Sequence, residues 1–129
     1  MNRLLIIEDQ ADIRRLIRWT LEFENFEIHE ANNGPNGLEA ARSLKPDLIL
    51  LDVMMPGGLD GFQVCEQLKA DSELGHVPVV ILTARSQQRD RQAGDRAGAN
   101  AFLAKPFSPL QLVDTVNSMI PKTEPAAGA

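Results

Sequence analysis

Cysteine is nearly missing from this chain. Cys65 is the only one among 129 residues, so no internal disulfide can form and no cysteine-based zinc site can be built. Histidine is scarce as well: His29 and His76 are too few and too far apart to suggest a histidine-rich metal site. No apolar run approaches the roughly 20 residues that a membrane-spanning helix requires. The opening "MNRLLIIEDQ" has one positive residue and four consecutive apolar ones before two acids, which is too short for a secretory signal peptide. Positive charge is in deficit too. A formal net charge of -5 argues against a nucleic-acid surface, which needs a basic face to neutralise phosphates. It leaves room for a small cationic patch or a bound metal ion. The expected setting is cytoplasmic and reducing, with no membrane and no direct nucleic-acid contact.

What is there suits one domain. A chain of 129 residues has no room for a second core of ordinary size, and a hydrophobic fraction of 43% suffices for one packed interior. Short apolar runs, "RLLIIE", "FEIHEA", "DLILLD", "VPVVILT" and "AFLAK", read as strands bounded by charges or turn residues. Stretches of helical spacing lie between them. "QADIRRLIRWTLEFE" puts Ile13, Leu16, Ile17 and Leu21 on one face, and "GPNGLEAARSLK" does the same with Leu38, Ala41 and Leu44 behind a first-turn Pro35. "DGFQVCEQLKAD" offers Phe62, Cys65 and Leu68. "SPLQLVDTVNSMI" has Ser108 as N-cap, a proline at the first helical position, and Leu110, Val113, Val116 and Ile120 as its stripe. The fourth helical segment, "SQQRDRQAGDRAG", has only Ala93 and Ala97 to bury. It is expected to be the most mobile helix, because few buried apolar contacts mean low local stability.

Strands and helices in strict alternation predict an α/β fold with a parallel sheet covered on both faces. The order expected for this flavodoxin-like, doubly wound (βα)5 sheet is 2-1-3-4-5. Residues 1–120 make up the domain. The small, proline-containing stretch from Pro121, "PKTEPAAGA", is expected to be a flexible tail or a truncated linker.

The carboxyl ends of the strands carry the chemistry. Glu8 and Asp9 follow strand 1, with Asp12 one turn on; Asp52 ends strand 3, Thr83 ends strand 4, and Lys105 follows strand 5. In the proposed order these tips are neighbours roughly 4.8 Å apart, so they converge on one pocket. Carboxylates packed together repel one another, and a divalent cation is the natural compensation. Oxygen-only ligands around an open, hydrated position suit Mg²⁺. Such a cation would hold an anionic phosphoryl group beside the acids, with Lys105 as a second positive anchor and Thr83 as a hydrogen-bond donor. Asp52, on a rigid apolar strand, is then placed as a nucleophile toward phosphorus, able to form an aspartyl phosphate.

Singly, each residue admits a plainer role. Glu8, Asp9 and Asp12 suit a charged helix start. Asp52 suits a turn, Thr83 an N-cap in competition with Ser86, Lys105 a solvated cation and Phe102 the core. Together, the acidic pair Glu8-Asp9, "LILLDVMMPG", "ILTA" and "AFLAKPF" stand in order and at spacings that identify a family. The chain resembles the receiver domain of two-component response regulators, of the chemotaxis-regulator-like single-domain kind, over residues 3–120.

The resemblance implies a switch that takes a phosphoryl group from a histidine kinase or phosphotransfer protein onto Asp52, with Mg²⁺ as cofactor and Mn²⁺ as a substitute. It implies Asp9, Asp52 and the Met54 backbone carbonyl as metal ligands, with Glu8 acting through water. Lys105 would pair with Asp52 or its phosphate. Thr83 would move toward the phosphoryl oxygens and Phe102 turn inward into the vacated space, altering the face made by helix 4, strand 5 and helix 5. Met54 and Arg85 would flank the path of the water that removes the phosphoryl group. Self-catalysed phosphorylation and slow autodephosphorylation are implied, in a monomer or a phosphorylation-dependent dimer that acts on a protein target or an output domain. The loop "MMPGGLDG" holds one residue more than the family's usual pattern, Gly57 or Gly58, placed after Met54.

Other classes fit less well. A pseudo-receiver that signals by contact alone normally lacks one of these residues. A flavin phosphate would be repelled by "EDQAD" after strand 1. A haloacid-dehalogenase-like phosphohydrolase needs a second aspartate where Met54 stands.

Overall fold

A computed structural model describes residues 2–53, 60–83 and 88–120, with the backbone alone at 88–90. Strands and helices alternate throughout: β1 (Asn2–Ile7), α1 (Ala11–Leu21), β2 (Phe26–Ala31), α2 (Gly34–Leu44), β3 (Leu48–Asp52), α3 (Gly61–Ala70), β4 (Val79–Thr83), α4 (Gln88–Ala97), β5 (Ala101–Ala104) and α5 (Pro109–Met119). All pairings are parallel and the sheet order is β2-β1-β3-β4-β5, as the alternation predicts.

Alternate residues of each strand feed opposite cores. Leu5, Ile7, Ile49, Leu51, Val79 and Ile81 pack with Leu38 and Ala41 of α2, Val64, Cys65 and Leu68 of α3, and Ala97 of α4. Leu4, Ile6, Leu48, Leu50, Val80 and Leu82 pack with Ile17 and Leu21 of α1 and with Leu112 and Val116 of α5. Every residue of β3 and β4 is buried as a result, which explains why their sequences are continuously apolar. Edge strand β2, covered less, is mostly half-buried.

The helix starts follow local signals. Asp60 with Gln63, and Ser108 with Gln111, form reciprocal capping boxes on α3 and α5. Asn33 caps α2 by accepting from the Asn36 amide at 2.8 Å. Two expected stripe positions are corrected. Leu16 is 36% and Leu110 69% exposed, whereas Leu112 is fully buried. On α5 the row Leu112–Val116 points at the sheet, and Leu110 lies about 200° around the helix from Leu112.

On α4, Gly94 and Ala97 are buried while Ala93 is half-buried. Among the described residues no helix is long and apolar enough to cross a membrane.

Lys45, the C-cap of α2, sits in the left-handed region with φ 49°. A side chain there is strained, so Lys45→Gly is expected to stabilise the fold by about 0.5–1 kcal/mol, read from the urea midpoint at unchanged m-value. The ion pair it sacrifices, Lys45 to Glu73 at 3.3 Å, is exposed on both sides and worth little.

Candidate functional site

Because the sheet is all parallel, the strand ends share one rim, where β1, β3, β4 and β5 are consecutive. Backbone pairing fixes their heights. Asp52 stands opposite Leu82, the Val53 amide donates to the Leu82 carbonyl at 3.3 Å, and the Lys105 amide donates to the Thr83 carbonyl at 2.8 Å. Past β1 the chain is braced by Arg14. Its Nη1 donates to the Glu8 carbonyl at 2.8 Å and its Nε to Glu30 at 2.8 Å, while Arg18 joins the same Glu30 carboxylate. Burial works against the Glu30 charge, but Arg18 and Arg14 outweigh it and hold its pKa below the ordinary glutamate value.

Three polar or charged side chains are buried among the described residues: Glu8, Asp52 and Thr83. All three lie at this rim. One carboxylate oxygen each from Glu8, Asp9 and Asp52 lies within 4.8 Å of the other two. The Lys105 ammonium closes the group, 2.8 Å from Glu8 Oε1 and 3.3 Å from Asp52 Oδ1. Glu8 keeps Oε1 buried, with the Lys105 ammonium as its charged neighbour. Its other oxygen, Oε2, accepts from the Gln10 amide at 3.2 Å. Burial drives the Glu8 pKa up to about 7; Asp52 pushes the same way, and Lys105 only partly offsets them. For Lys105, burial opposes the charge, yet Glu8 and Asp52 together hold its pKa above the ordinary lysine value.

This donor set fits a hard dication. Three carboxylates cluster at one point, two of them buried, and every candidate ligand atom is oxygen. Asp12 stands apart from the cluster: its side chain is 93% exposed and paired with Arg15 at 3.7 Å. The residues named with Asp12 beyond strand 1 therefore divide, and only Glu8 and Asp9 reach the site. Thr83 lies at the end of β4, and Phe102 lies half-buried on β5 opposite Ile81. Met54, Arg85, Ser86 and the extra Gly57 or Gly58 lie outside the described residues.

Comparison with known proteins identifies the arrangement. The family model described as "Response regulator receiver domain" matches residues 4–117. The chain belongs to that family. This receiver is 41% identical over 119 residues to the transcriptional regulatory protein ResD of Bacillus subtilis (strain 168), a match covering 92% of the chain and 48% of the relative. It is 39% identical over 126 residues to the phosphate regulon transcriptional regulatory protein PhoB of Escherichia coli (strain K12), covering 98% and 55%. The receiver thus spans about half the length of these curated relatives. Among solved structures, the chemotaxis response regulator CheY4 of Vibrio cholerae superposes with a TM-score of 0.88 at 29% identity, over 93% of this chain and 99% of that one. The receiver domain of the sensor histidine kinase PA1611 from Pseudomonas aeruginosa PAO1 superposes with a TM-score of 0.84 at 28% identity, over 92% and 96%. That structure has a magnesium ion coordinated in its active-site cleft.

Two residues that hold the receiver site were given no site role by the sequence patterns. Arg14 is one. Gly61 is the other: a Cβ there would collide with the Asp52 carbonyl oxygen and stand 2.5 Å from Val53 Cα. The Gly61 amide also donates to the Val53 carbonyl at 3.2 Å. The start of α3 is thus pressed onto the backbone that carries Asp52. An aspartate N-cap followed at once by glycine, at the start of the helix after β3, is the signal that could have revealed it. Because the obstacle is backbone, Gly61→Ala is expected to cost about 1–3 kcal/mol in urea unfolding. It should also displace Asp52, seen as amide shifts at Asp52 and Val53.

Proposed function

We propose that this receiver accepts a phosphoryl group on Asp52 from a phosphohistidine of a histidine kinase or phosphotransfer protein, with residues 1–120 as the acting unit. The single observation that supports this most is the rim cluster, in which a buried Asp52 stands within 4.8 Å of Glu8 and Asp9 and the Lys105 ammonium reaches both Glu8 and Asp52. An Asp52 carboxylate oxygen attacks phosphorus and the phosphorus–nitrogen bond breaks; its electron pair stays on the imidazole nitrogen, which then takes a proton. Lys105 stabilises the charge that builds on the phosphoryl oxygens, and Thr83 offers them its hydroxyl. Asp9, Asp52 and the Met54 carbonyl would hold Mg²⁺ or Mn²⁺, with Glu8 acting through water. The bound ion supplies charge neutralisation for the phosphoryl oxygens.

Phosphorylation would then shift Thr83 and Phe102 and re-form the face of α4, β5 and α5 that reads out to a protein target or an output domain, as a monomer or a phosphorylation-dependent dimer. A complete shift from 1:99 to 99:1 needs about 5.5 kcal/mol. New charge-assisted hydrogen bonds to Lys105 and Thr83 contribute roughly half of that, so a partial shift is expected. The test uses acetyl phosphate or phosphoramidate with Mg²⁺, read by intact mass. The protein is expected to gain one phosphoryl group. A protein that binds Mg²⁺ yet never gains mass, even from a kinase, would instead be a pseudo-receiver that signals by contact.

A further inference from the structure

Large apolar side chains on the surface of this molecule are gathered rather than scattered. Among the described residues four are exposed, and three of them, Leu16, Trp19 and Phe23, belong to α1 and the turn after it. They are 36%, 65% and 90% exposed. The spacing i, i+3, i+7 puts them on one side of the helix, within about 60° of arc. Glu22 still has helical dihedrals, φ -56° and ψ -35°, so Phe23 continues the stripe past Leu21. The core is served by Ile17 and Leu21, on a different side of α1.

Beside the stripe a groove of about 360 Å³ runs between α1 and β2, lined by Arg15, Arg18, Trp19 and Glu22 on one wall and by Phe26 and Ile28 on the other. Arg18 is fixed there: its side chain joins Glu30, and its Nη2 donates to the Ile28 carbonyl at 3.1 Å. Arg15 is held loosely. Its ion pair with Asp12 is 3.7 Å long and exposed on both sides, so it is worth little. Glu22 is exposed where the helix ends. This face of α1 thus carries cations in its middle, an acid at its end and a tryptophan between them.

We propose that this face docks a second copy of the chain, α1 against α1 in antiparallel sense, about a two-fold axis that passes between Arg18 and Trp19. A two-fold contact must be self-complementary, and this one is. Arg15 of each copy meets Glu22 of the other, and Trp19 of each meets the Arg18 guanidinium of the other, a cation on an aromatic face. Leu16 and Phe23 flank the tryptophan. Charge singles out this occupant. A net charge of -5 makes two copies repel except where opposite signs are brought together. A patch with both signs in mirrored order suits its own copy better than a uniformly acidic or basic partner.

The contact is separate from the carboxylate rim. α1 runs back along the sheet from that rim, and its last turn leads into the start of β2 at the opposite one. Docking therefore needs no modification of Asp52, and its failure would leave the phosphoacceptor reading untouched. One helix and one groove make a contact below the roughly 1,200 Å² of ordinary specific interfaces, so the dimer is weak and concentration-dependent.

Trp19 is the only tryptophan and the chain has no tyrosine, so its fluorescence reports this face alone. The experiment follows sedimentation equilibrium and Trp19 emission from about 10 µM to about 1 mM protein, the range in which weak contacts assemble. The wild type is expected to pass from monomer to dimer without any phosphoryl donor, its emission moving to shorter wavelength. Trp19→Ala should weaken association about 10-fold or more in sedimentation, as for a central aromatic anchor. Arg15→Glu sets like charges together on both sides of the axis and should do the same. Adding Glu22→Arg to Arg15→Glu should restore association to within about 3-fold of wild type. Within one copy these two residues stand two turns apart, about 10 Å along the helix, so the rescue arises only between copies. All three positions are exposed, and the urea midpoints should stay near the wild-type value.

A chain that stays monomeric throughout, or associates only after phosphoramidate and Mg²⁺ are added, overturns the proposal. So does a dimer that Trp19→Ala and Arg15→Glu leave intact, or one that the double reversal fails to restore. A monomer whose Trp19 emission shifts only on vesicles of phosphatidylserine and phosphatidylcholine would give the face to a lipid surface instead.

Discussion

Asp52→Asn is expected to gain no phosphoryl group from phosphoramidate and Mg²⁺ where the wild type gains one. The amide keeps the size of the side chain but removes the charged oxygen that would attack phosphorus. Removing a covalent nucleophile costs on the order of 10³-fold or more in rate. The fold should survive, because Asp52 sits at the end of a strand whose other residues are apolar and fully buried. Circular dichroism and a urea midpoint at or above the wild-type value would establish that. Phosphoryl uptake that persists in Asp52→Asn would move the acceptor elsewhere, with Asp9 the first place to look, since its carboxylate lies within 4.8 Å of the same cluster.

Glu8→Gln should have the second largest effect, and it has opposite signs on stability and on metal binding. Burial raises the folded-state pKa of Glu8 from 4.5 to about 7, so the metal-free fold favours the protonated acid. Between those two values the native state binds more protons than the unfolded chain. Stability in the absence of Mg²⁺ therefore falls as pH rises from about 4.5 to about 7 and levels off above. Lys105 acts in another window: its folded pKa lies above 10.5, so its contribution is complete throughout this range and is lost only at higher pH.

Removing the Glu8 charge is expected to stabilise the metal-free protein at pH 8 by about 1–3 kcal/mol, with little change at pH 5. Mg²⁺ reverses the picture. At a hundredfold excess over Kd it stabilises the wild type by about 2.7 kcal/mol, while Glu8→Gln should need more Mg²⁺ for the same gain. Urea midpoints at pH 5 and pH 8, with and without Mg²⁺, separate these effects. A Glu8→Gln protein less stable than wild type at pH 8 without Mg²⁺ would mean that the Glu8–Lys105 pair outweighs the cost of burying the acid.

Much of this was legible in the sequence because two faces of one strand leave a strong trace. Leu48 to Leu51 read as a buried run, and the ladder places them between two cores with Asp52 at the end. Where only one face of an element is buried, the trace blurs. Leu110 and Leu16 belong to plausible helical stripes, yet a stripe can be drawn through more than one set of positions: packing against the sheet buries Leu112 rather than Leu110, and on α1 it buries Ile17 and Leu21 of the expected stripe while Leu16 stays exposed.

The site was legible to the extent that its residues carry charge. Glu8, Asp9, Asp52 and Lys105 announce themselves at strand ends, whereas Asp12 carries the same charge and points to solvent with Arg15. What the sequence hid was the meaning of its glycines. Gly61 and Gly94 matter through the atoms that fill the space beside them, a strand backbone in one case and an aromatic ring in the other. Nothing in the local string names those neighbours, because they arrive from other parts of the chain.

The uniform direction of the strands also creates a quiet end. The turns that precede β3, β4 and β5, among them Lys45–Asp47, Gly75–Pro78 and Gly98–Asn100, gather at the far rim, separated from the carboxylates by the length of a strand, about 15 Å. That rim is the natural handle of the molecule. A tether, a fluorophore or a permuted chain opening placed there would leave the carboxylate rim free, so surface immobilisation through it should present that rim of every copy to solution.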